Sequence, residues 1–574
     1  MGITCKGDKN INKEMGVAYV IFRRDMRAAG QGDRRNGKGG HGEHKGSLRH
    51  GPAIGAKGFD TAVVLSGDDG YVSAKDLRLN DEFPREPIYF CKKPLYNGDT
   101  MLKIYDPIRK ENREFEEIEQ DTVKMYSCGP TVYNYVHLGN LRAYIVVDMI
   151  KRYLRYSGYD INHVMKITDV DDKTIKGSQA AHESLKAFTE KYLAALLEDM
   201  DRVNIELPDI MPKATDHIEE MVDLIETLLE KGYAYRADDS VYFRIAKFPK
   251  YGELVGLEKQ ELKENAEGRL SDADEYGKED VNDFVLWKGY REEDGDVFWE
   301  TRIGKGRPGW HIECSAMSMK YLGETFDIHC GGVDLMFPHH VNEIAQSEAA
   351  TGKEFVHYWM HNAHVIVDGQ KMSKSLGNAY TLRDVMEKGL DPLLLRVIMM
   401  KTHYRNVVDF SFDAFAEAQA IVDRFVQFML SIDNVTNIEY NEMDVEALIT
   451  EYRGRFIDML DTDLNISGAL AAIFDFMNEV NKGMDLIHTE QAKNIKMFML
   501  ELDEVLGFIG AFYNKYRMEL TNRIDEANAD ELVMQRAMAR KEGDWVKADE
   551  IRDELANHGL VVDDTAQGPV IKLK

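Results

Sequence analysis

The sequence predicts an α/β protein built on a doubly wound parallel sheet. An insertion interrupts the sheet, and a helical bundle and a small α/β C-terminal domain follow it. Three observations lead there. A strand–helix–strand pattern opens at Val123, a second half of the same kind follows near Phe326, and helical periodicity dominates after about Val408.

The first strand is Val123–Cys128. From His137 to about Tyr156 the residues Leu141, Ile145, Met149 and Tyr153 repeat every four positions, the stripe of an amphipathic helix. Asn162–Ile167 is the next strand, which completes a βαβ unit of Rossmann-like type. The second half is expected as a strand at Phe326–His329 and a helix at His340–Ala350. Between the halves lies an insertion, about residues 218–304, with strands near Val241–Arg244 and Phe284–Lys288. In the helical region Ile421, Phe425, Phe428, Met429 and Ile432 follow helical spacing. A single charged helix is expected at Val533–Asn557, ending at Gly559, and then a hairpin of Leu560–Asp563 with Val570–Leu573 turning at Gln567–Pro569. The expected domains are 1–100, an N-terminal extension; 101–410, the Rossmann-type domain; 411–525, the bundle; and 526–574, the C-terminal domain.

Residues 1–60 are rich in glycine and carry more Lys/Arg than Asp/Glu. Such a segment buries too little apolar surface to offset its ordering entropy and reads as partly disordered. It is either a dispensable extension, with Met101 a natural start, or a basic arm that touches RNA. Apolar residues make up 44% of the chain and charged residues 30%, a globular balance. No apolar run approaches the ~18 residues of a membrane span. Five scattered cysteines do not suggest a disulfide framework and fit a reducing, cytoplasmic setting. The net charge of −28 disfavours a nucleic-acid partner on average, although a local basic track can coexist with it.

His137-Leu138-Gly139-Asn140 sits at the first strand-to-helix turn, where this fold places phosphates against the positive end of a helix. Gly139 permits close backbone approach, and His137 and Asn140 bring donors; a capping histidine beside a packing glycine is the plainer alternative. Lys371-Met372-Ser373-Lys374-Ser375 is a cationic loop suited to a polyphosphate, or else a solvated basic turn. Cys128, Cys314, His339 and Glu343 offer two thiolates, an imidazole and a carboxylate, a donor set suited to zinc. His339 and Glu343 are four apart and would share one face of a helix. No compact Cys-x-x-Cys pair marks a site, and each residue taken singly also reads as an ordinary buried cysteine or a helix-surface pair.

The histidine and lysine motifs, in this order, resemble the two signatures of class I aminoacyl-tRNA synthetases. The lysine motif matches letter for letter, and Asn140 stands where a histidine is more usual. Four longer stretches, Cys128–Tyr133, Ile167–Lys173, Gly309–Met317 and Phe337–Glu343, resemble the cysteinyl-tRNA synthetase family. The similarity runs from Met101 almost to the C-terminus. It implies a cysteine–tRNA ligase that uses ATP with Mg2+ to form cysteinyl-adenylate and transfers the cysteine to tRNA(Cys). It further implies one zinc ion held by Cys128, Cys314, His339 and Glu343, with Thr168 and Trp310 around the amino acid. His137, Asn140, Lys371 and Lys374 would act on the phosphates, and Gly139, Gly332 and Asp334 would contact ATP. Arg540, Trp545, Asp549 and Asp564 would meet the anticodon, in a chain that acts as a monomer away from membranes. A cysteine-to-amino-sugar ligase sharing the catalytic half, and a non-catalytic tRNA-binding regulator, are the rival readings; residues 533–574 speak against the first, the intact lysine loop and thiols against the second.

Overall fold

The computed structural model describes residues 19–21, 62–64, 101–256, 283–372, 376–438, 443–565 and 568–574. The chain divides into two units, Met1–Leu95 and Tyr96–Lys574. In the first, the strands Tyr19–Ile21 and Ala62–Val64 pair antiparallel. The expectation of disorder in the N-terminal extension otherwise lies outside the described residues, as do Ser373, Lys374 and Ser375 and the hairpin tip at Gln567.

The second unit is built on four parallel strands. They are β1 (Thr122–Ser127), β2 (Asp160–Met165), β3 (Phe326–Gly332) and β4 (Val356–Asn362). Their spatial order is β4-β3-β1-β2. The chain runs from β1 through helix α1 (Leu138–Tyr156) to β2 on one side. It later returns to β1's other side with β3, then crosses through α3 (Val341–Thr351) to β4. The direction of winding therefore reverses between β1 and β3. Beyond the carboxyl ends of those two strands a crevice forms, the usual ligand position in such sheets. Cys128 N–H donates to Cys330 O across it at 3.3 Å.

Helix α1 buries the predicted stripe Leu141, Ile145, Met149 and Tyr153 against the sheet and the bundle. The insertion holds more sheet than the sequence suggests. Ala234–Ala237, Ser240–Phe243, Phe284–Gly289, Gly304–Pro308 and Trp299–Thr301 form five antiparallel strands. Gly304–Pro308 carries glycine, charge and proline, so it has no apolar alternation to announce it; pairing with its neighbours makes it a strand. Helix α2 (Trp310–Leu322) follows it directly.

The bundle consists, among the described residues, of Ala414–Asp433, Val445–Asp461, Ile466–Lys482, Thr489–Leu506 and Ile509–Ala527. The single charged helix expected at Val533–Asn557 is instead two, Ala529–Glu542 and Trp545–Asn557. Gly543 takes φ 78°, a left-handed C-cap, and Asp544 then caps the next helix through the Lys547 N–H. The hairpin of Leu560–Thr565 with Gly568–Leu573 packs on these helices over Val533, Ile551, Leu555 and Leu560. No helix among the described residues is long and apolar enough to cross a membrane.

One buried ion cluster fastens the bundle to the sheet domain. Asp148 of α1, fully buried, accepts from Arg152 Nε at 2.8 Å and lies 2.6 Å from Arg396 Nη2. The two guanidinium groups then reach the end of the Thr489–Leu506 helix, at Glu504 O and Leu506 O. Replacing Asp148 with Ala takes the carboxylate from buried Arg396 and leaves Arg152 only Glu206, at 3.4 Å. We expect a fall in the denaturant midpoint worth on the order of 3–5 kcal/mol; an unchanged midpoint would show that the bundle is held by apolar packing alone.

Candidate metal and nucleotide site

Four segments deliver side chains to the crevice beyond β1 and β3. Cys128 directly follows β1, and Cys314 lies in the second turn of α2. Glu343 is in the first turn of α3. His339 lies in a wide helical turn, Met336–His340, that runs directly into α3; the break in the helical path is at Phe337, before His339, so the spacing of four to Glu343 keeps the two on one side. The turn brings His339 Nε2 to 3.0 Å from Glu343 Oε1.

The other separations are similar. Cys128 Sγ is 4.0 Å from Cys314 Sγ and 3.9 Å from Glu343 Oε1, and Cys314 Sγ is 3.3 Å from His339 Nε2. All four ligand atoms lie within 4.8 Å of one another. A tetrahedral zinc with bonds of about 2.0–2.3 Å sets its donors roughly 3.3–3.8 Å apart, so the cluster has the right size. A second set, Cys128, His329, His340 and Glu343, is equally compact and shares two members with the first. Cys128 and Trp310 face the open side: Cys128 is only half-buried, and Trp310 is 37% exposed, while Cys314, His339 and Glu343 are buried.

The surroundings hold these groups in place. His329 Nε2 lies 2.9 Å from Glu343 Oε2, the oxygen turned away from the cluster centre. His311 Nδ1 and His339 Nδ1 are 2.7 Å apart, so the outer nitrogen of His339 is also engaged. His340 Nε2 approaches Cys128 Sγ at 3.4 Å, and its Nδ1 bonds His361 Nε2 at 2.8 Å. Partners of this kind set ligand orientation in metal sites. Burial lowers His339, His311 and His361 to about 3 and His329 to about 4, so all four are neutral near pH 7. Burial also pushes Glu343 up to about 8. The hydrogen bond to Cys314, with burial, holds the Cys128 thiol well above its ordinary range. Two thiols and a carboxyl crowded into one dry pocket resist ionising together, and a dication placed among them reverses that preference.

A buried ion pair that the sequence reading overlooked lies beside the cluster. Lys166 Nζ is 2.7 Å from Glu313 Oε2, with both side chains 1% exposed. Thr168, expected at the amino acid, gives its hydroxyl to the same oxygen at 3.1 Å. A lysine inside the apolar run Val164–Ile167 was the available signal. Trp310 stacks on His339, ring centres 3.9 Å apart, beside the cluster.

The histidine motif forms the start of α1. His137 is the N-cap: its Nδ1 accepts the Asn140 N–H at 3.3 Å, and Asn140 Oδ1 accepts the His137 N–H at 3.2 Å. Asn140 thus completes a capping box, a role a histidine side chain would fill with different geometry. Gly139 lies against the His137 ring, where a Cβ would come within 3.0 Å of it. Leu138 N–H donates to Tyr380 O at 2.8 Å, so the segment after the lysine loop lies against this turn. Lys371 is exposed at the end of a short strand, Gln370–Lys371. Gly332 closes β3, and a Cβ there would meet Asp334 Oδ1 at 2.4 Å.

The four C-terminal residues gather on one exposed face. Asp564 takes a two-pronged contact from Arg536, at 2.9 Å each, and also pairs with Arg540. The Arg536 contact leads in holding the Asp564 carboxyl down at about 2. The Arg540 guanidinium lies 5.9 Å from the Trp545 ring centre, and Trp545 is 61% exposed. Asp549, on the same helix as Trp545, pairs with Arg552 at 2.8 Å.

Comparison with known proteins agrees along the whole second unit. Residues 114–420 match the model of tRNA synthetases class I (C) catalytic domain, 455–510 the DALR domain, and 526–568 the cysteinyl-tRNA ligase anticodon binding domain. The cysteine–tRNA ligase of Brachyspira hyodysenteriae is 47% identical over 476 residues, 82% of this chain and 99% of that protein. That of Protochlamydia amoebophila is 42% identical over 475 residues, 82% of this chain and 98% of its own length. Among solved structures, Agrobacterium radiobacter K84 agnB2 LeuRS, in a ternary complex with tRNA and LeuAMS, superposes with a TM-score of 0.51 at 10% identity. It covers 70% of this chain and 86% of its own, a likeness of fold. With a catalytic-domain model matched across more than half its length and relatives this similar from end to end, the chain belongs to the cysteinyl-tRNA synthetase family of class I aminoacyl-tRNA synthetases.

Proposed function

We propose that Cys128, Cys314, His339 and Glu343 hold one zinc ion, and that this site selects the amino acid in the ligation of cysteine to tRNA that the chain catalyses. The observation that carries the reading is the convergence of four donor atoms within 4.8 Å at the switch point of the sheet. Of the two compact sets, this one contains both thiols, and soft sulfur donors suit zinc. His329 and His340 then serve as outer partners, on Glu343 and Cys128 respectively. Bound there, zinc supplies a soft Lewis acid that prefers a thiolate to a hydroxyl. That matters because serine differs from cysteine by one atom, and shape alone rejects such an analogue by only about 100-fold.

The remaining residues act on ATP. Attack by the cysteine carboxylate on the α-phosphate builds charge on the phosphoryl oxygens and on departing pyrophosphate, so preplaced donors lower the barrier. His137, capped at the positive end of α1, and Asn140 face the reacting phosphate; Lys371 and Lys374 stabilise the leaving group. Gly139 lets the phosphate come close, and Gly332 and Asp334, at the end of β3, hold the adenosine. Mg2+ accompanies the nucleotide. Trp310 covers the amino-acid pocket, and Thr168 orders it through Glu313. In this reading residues 101–410 form the catalytic domain, 411–525 the bundle and 526–574 the anticodon reader, where Arg540, Trp545, Asp549 and Asp564 contact RNA. An exposed tryptophan beside an arginine suits an unpaired base.

Metal analysis should find one zinc per chain, and zinc-loaded protein should catalyse cysteine-dependent exchange of pyrophosphate into ATP; absence of exchange would overturn the reading. Cys314→Ser should lower both zinc content and cysteine activation, and unchanged metal content would remove Cys314 from the ligand set. Trp545→Ala should weaken tRNA charging by roughly 10-fold or more, the size of one lost stacking contact, with adenylate formation nearly unchanged. Equal losses in both steps would place Trp545 outside the RNA contact.

A further inference from the structure

We propose that Lys166 is a positioning residue of the amino-acid pocket: its buried ammonium holds the anionic ligand set together and makes room in charge for the sulfur of the incoming cysteine. The inference rests on the zinc reading above and names a residue beyond the four ligands.

The backbone puts Lys166 beside Cys128. Strands β1 and β2 are parallel, and Ser127 pairs in register with Met165. The next residue on each strand is Cys128 on one and Lys166 on the other, so the two leave adjacent strand ends. Gly129 makes the approach closer still: a Cβ there would lie 1.6 Å from Lys166 O. Only glycine fits. From this position the ammonium reaches Glu313 Oε2 at 2.7 Å, next in sequence to Cys314, and lies 5.8 Å from the centre of the Trp310 ring, which stacks on His339.

Charge counting says why a cation belongs there. Two thiolates and a carboxylate around a dication leave one net negative charge. Admitting a third sulfur anion makes two, and Glu313, itself 1% exposed, adds another, in a site where only Cys128 is half-buried and Cys314, His339 and Glu343 are buried. Buried charge of one sign is costly unless paired. The plainer role is to neutralise Glu313 alone, and the two roles make different predictions.

The test uses the full zinc-loaded chain and two variants, Lys166→Met and the pair Lys166→Met with Glu313→Gln, which leaves no stranded carboxylate. The readouts are zinc retained against a chelator, the sulfur-to-metal charge-transfer band of Co2+-substituted protein on adding cysteine, and KM for cysteine against KM for ATP. We expect both variants to lose zinc more readily and to show a weaker band. KM for cysteine should rise about 10- to 100-fold, the scale of one charge interaction at about 6 Å with an effective dielectric of about 20, with KM for ATP unchanged. Wild-type zinc retention and cysteine KM in the double variant would reduce Lys166 to a counter-ion of Glu313 and overturn the inference alone. Wild-type protein that takes up no zinc would instead overturn the reading beneath it.

Discussion

Gathering two thiols and two carboxyl groups in one dry pocket is the constraint around which the rest of the structure is arranged. Cys128, Cys314, Glu343 and Glu313 come from three segments of chain, and each would repel the others once ionised. A protein spends stability on such a pocket only where positive charge enters it. Lys166 is one source, built into the fold. A metal dication would be the other, and four donor atoms stand close enough together to hold one. Neutral imidazoles complete the shell; they can donate or accept without adding charge.

The parallel sheet supplies the geometry. Cys128 and Lys166 leave neighbouring strands at the same level because parallel register is fixed by the ladder from Thr122–Asp160 to Ser127–Met165. The reversal of winding between β1 and β3 opens the crevice there and nowhere else in this sheet. The start of α1 is fixed for a local reason, since His137 and Asn140 satisfy each other's backbone groups.

The helical half is coupled to this site through α1. The same helix carries the His137–Asn140 capping box at its first turn and the Asp148–Arg152–Arg396 cluster further along. At the far end, Arg536 and Arg540 are both paired with Asp564, and these contacts hold its carboxyl down at about 2.

Local physics reaches a good distance here. Periodicity placed β1, α1, β2, β3 and α3 within a few residues, because helical stripes and buried parallel strands are written in apolar spacing. It failed where no such spacing exists. The glycine-rich strand Gly304–Pro308 is a strand only because neighbours pair with it, and one charged helix became two because Gly543 accepts a left-handed turn. The donor types were also readable, while their convergence rested on resemblance. Cys128 and Cys314 are 186 residues apart, and nothing in local sequence makes such residues neighbours. Tertiary structure decided that His339 reaches Glu343 from a wide turn, that Thr168 serves Glu313, and that Lys166 lies buried among acids. Those are consequences of strand register and of the reversal of winding between β1 and β3, and a buried charge declares its role only through the charges packed against it.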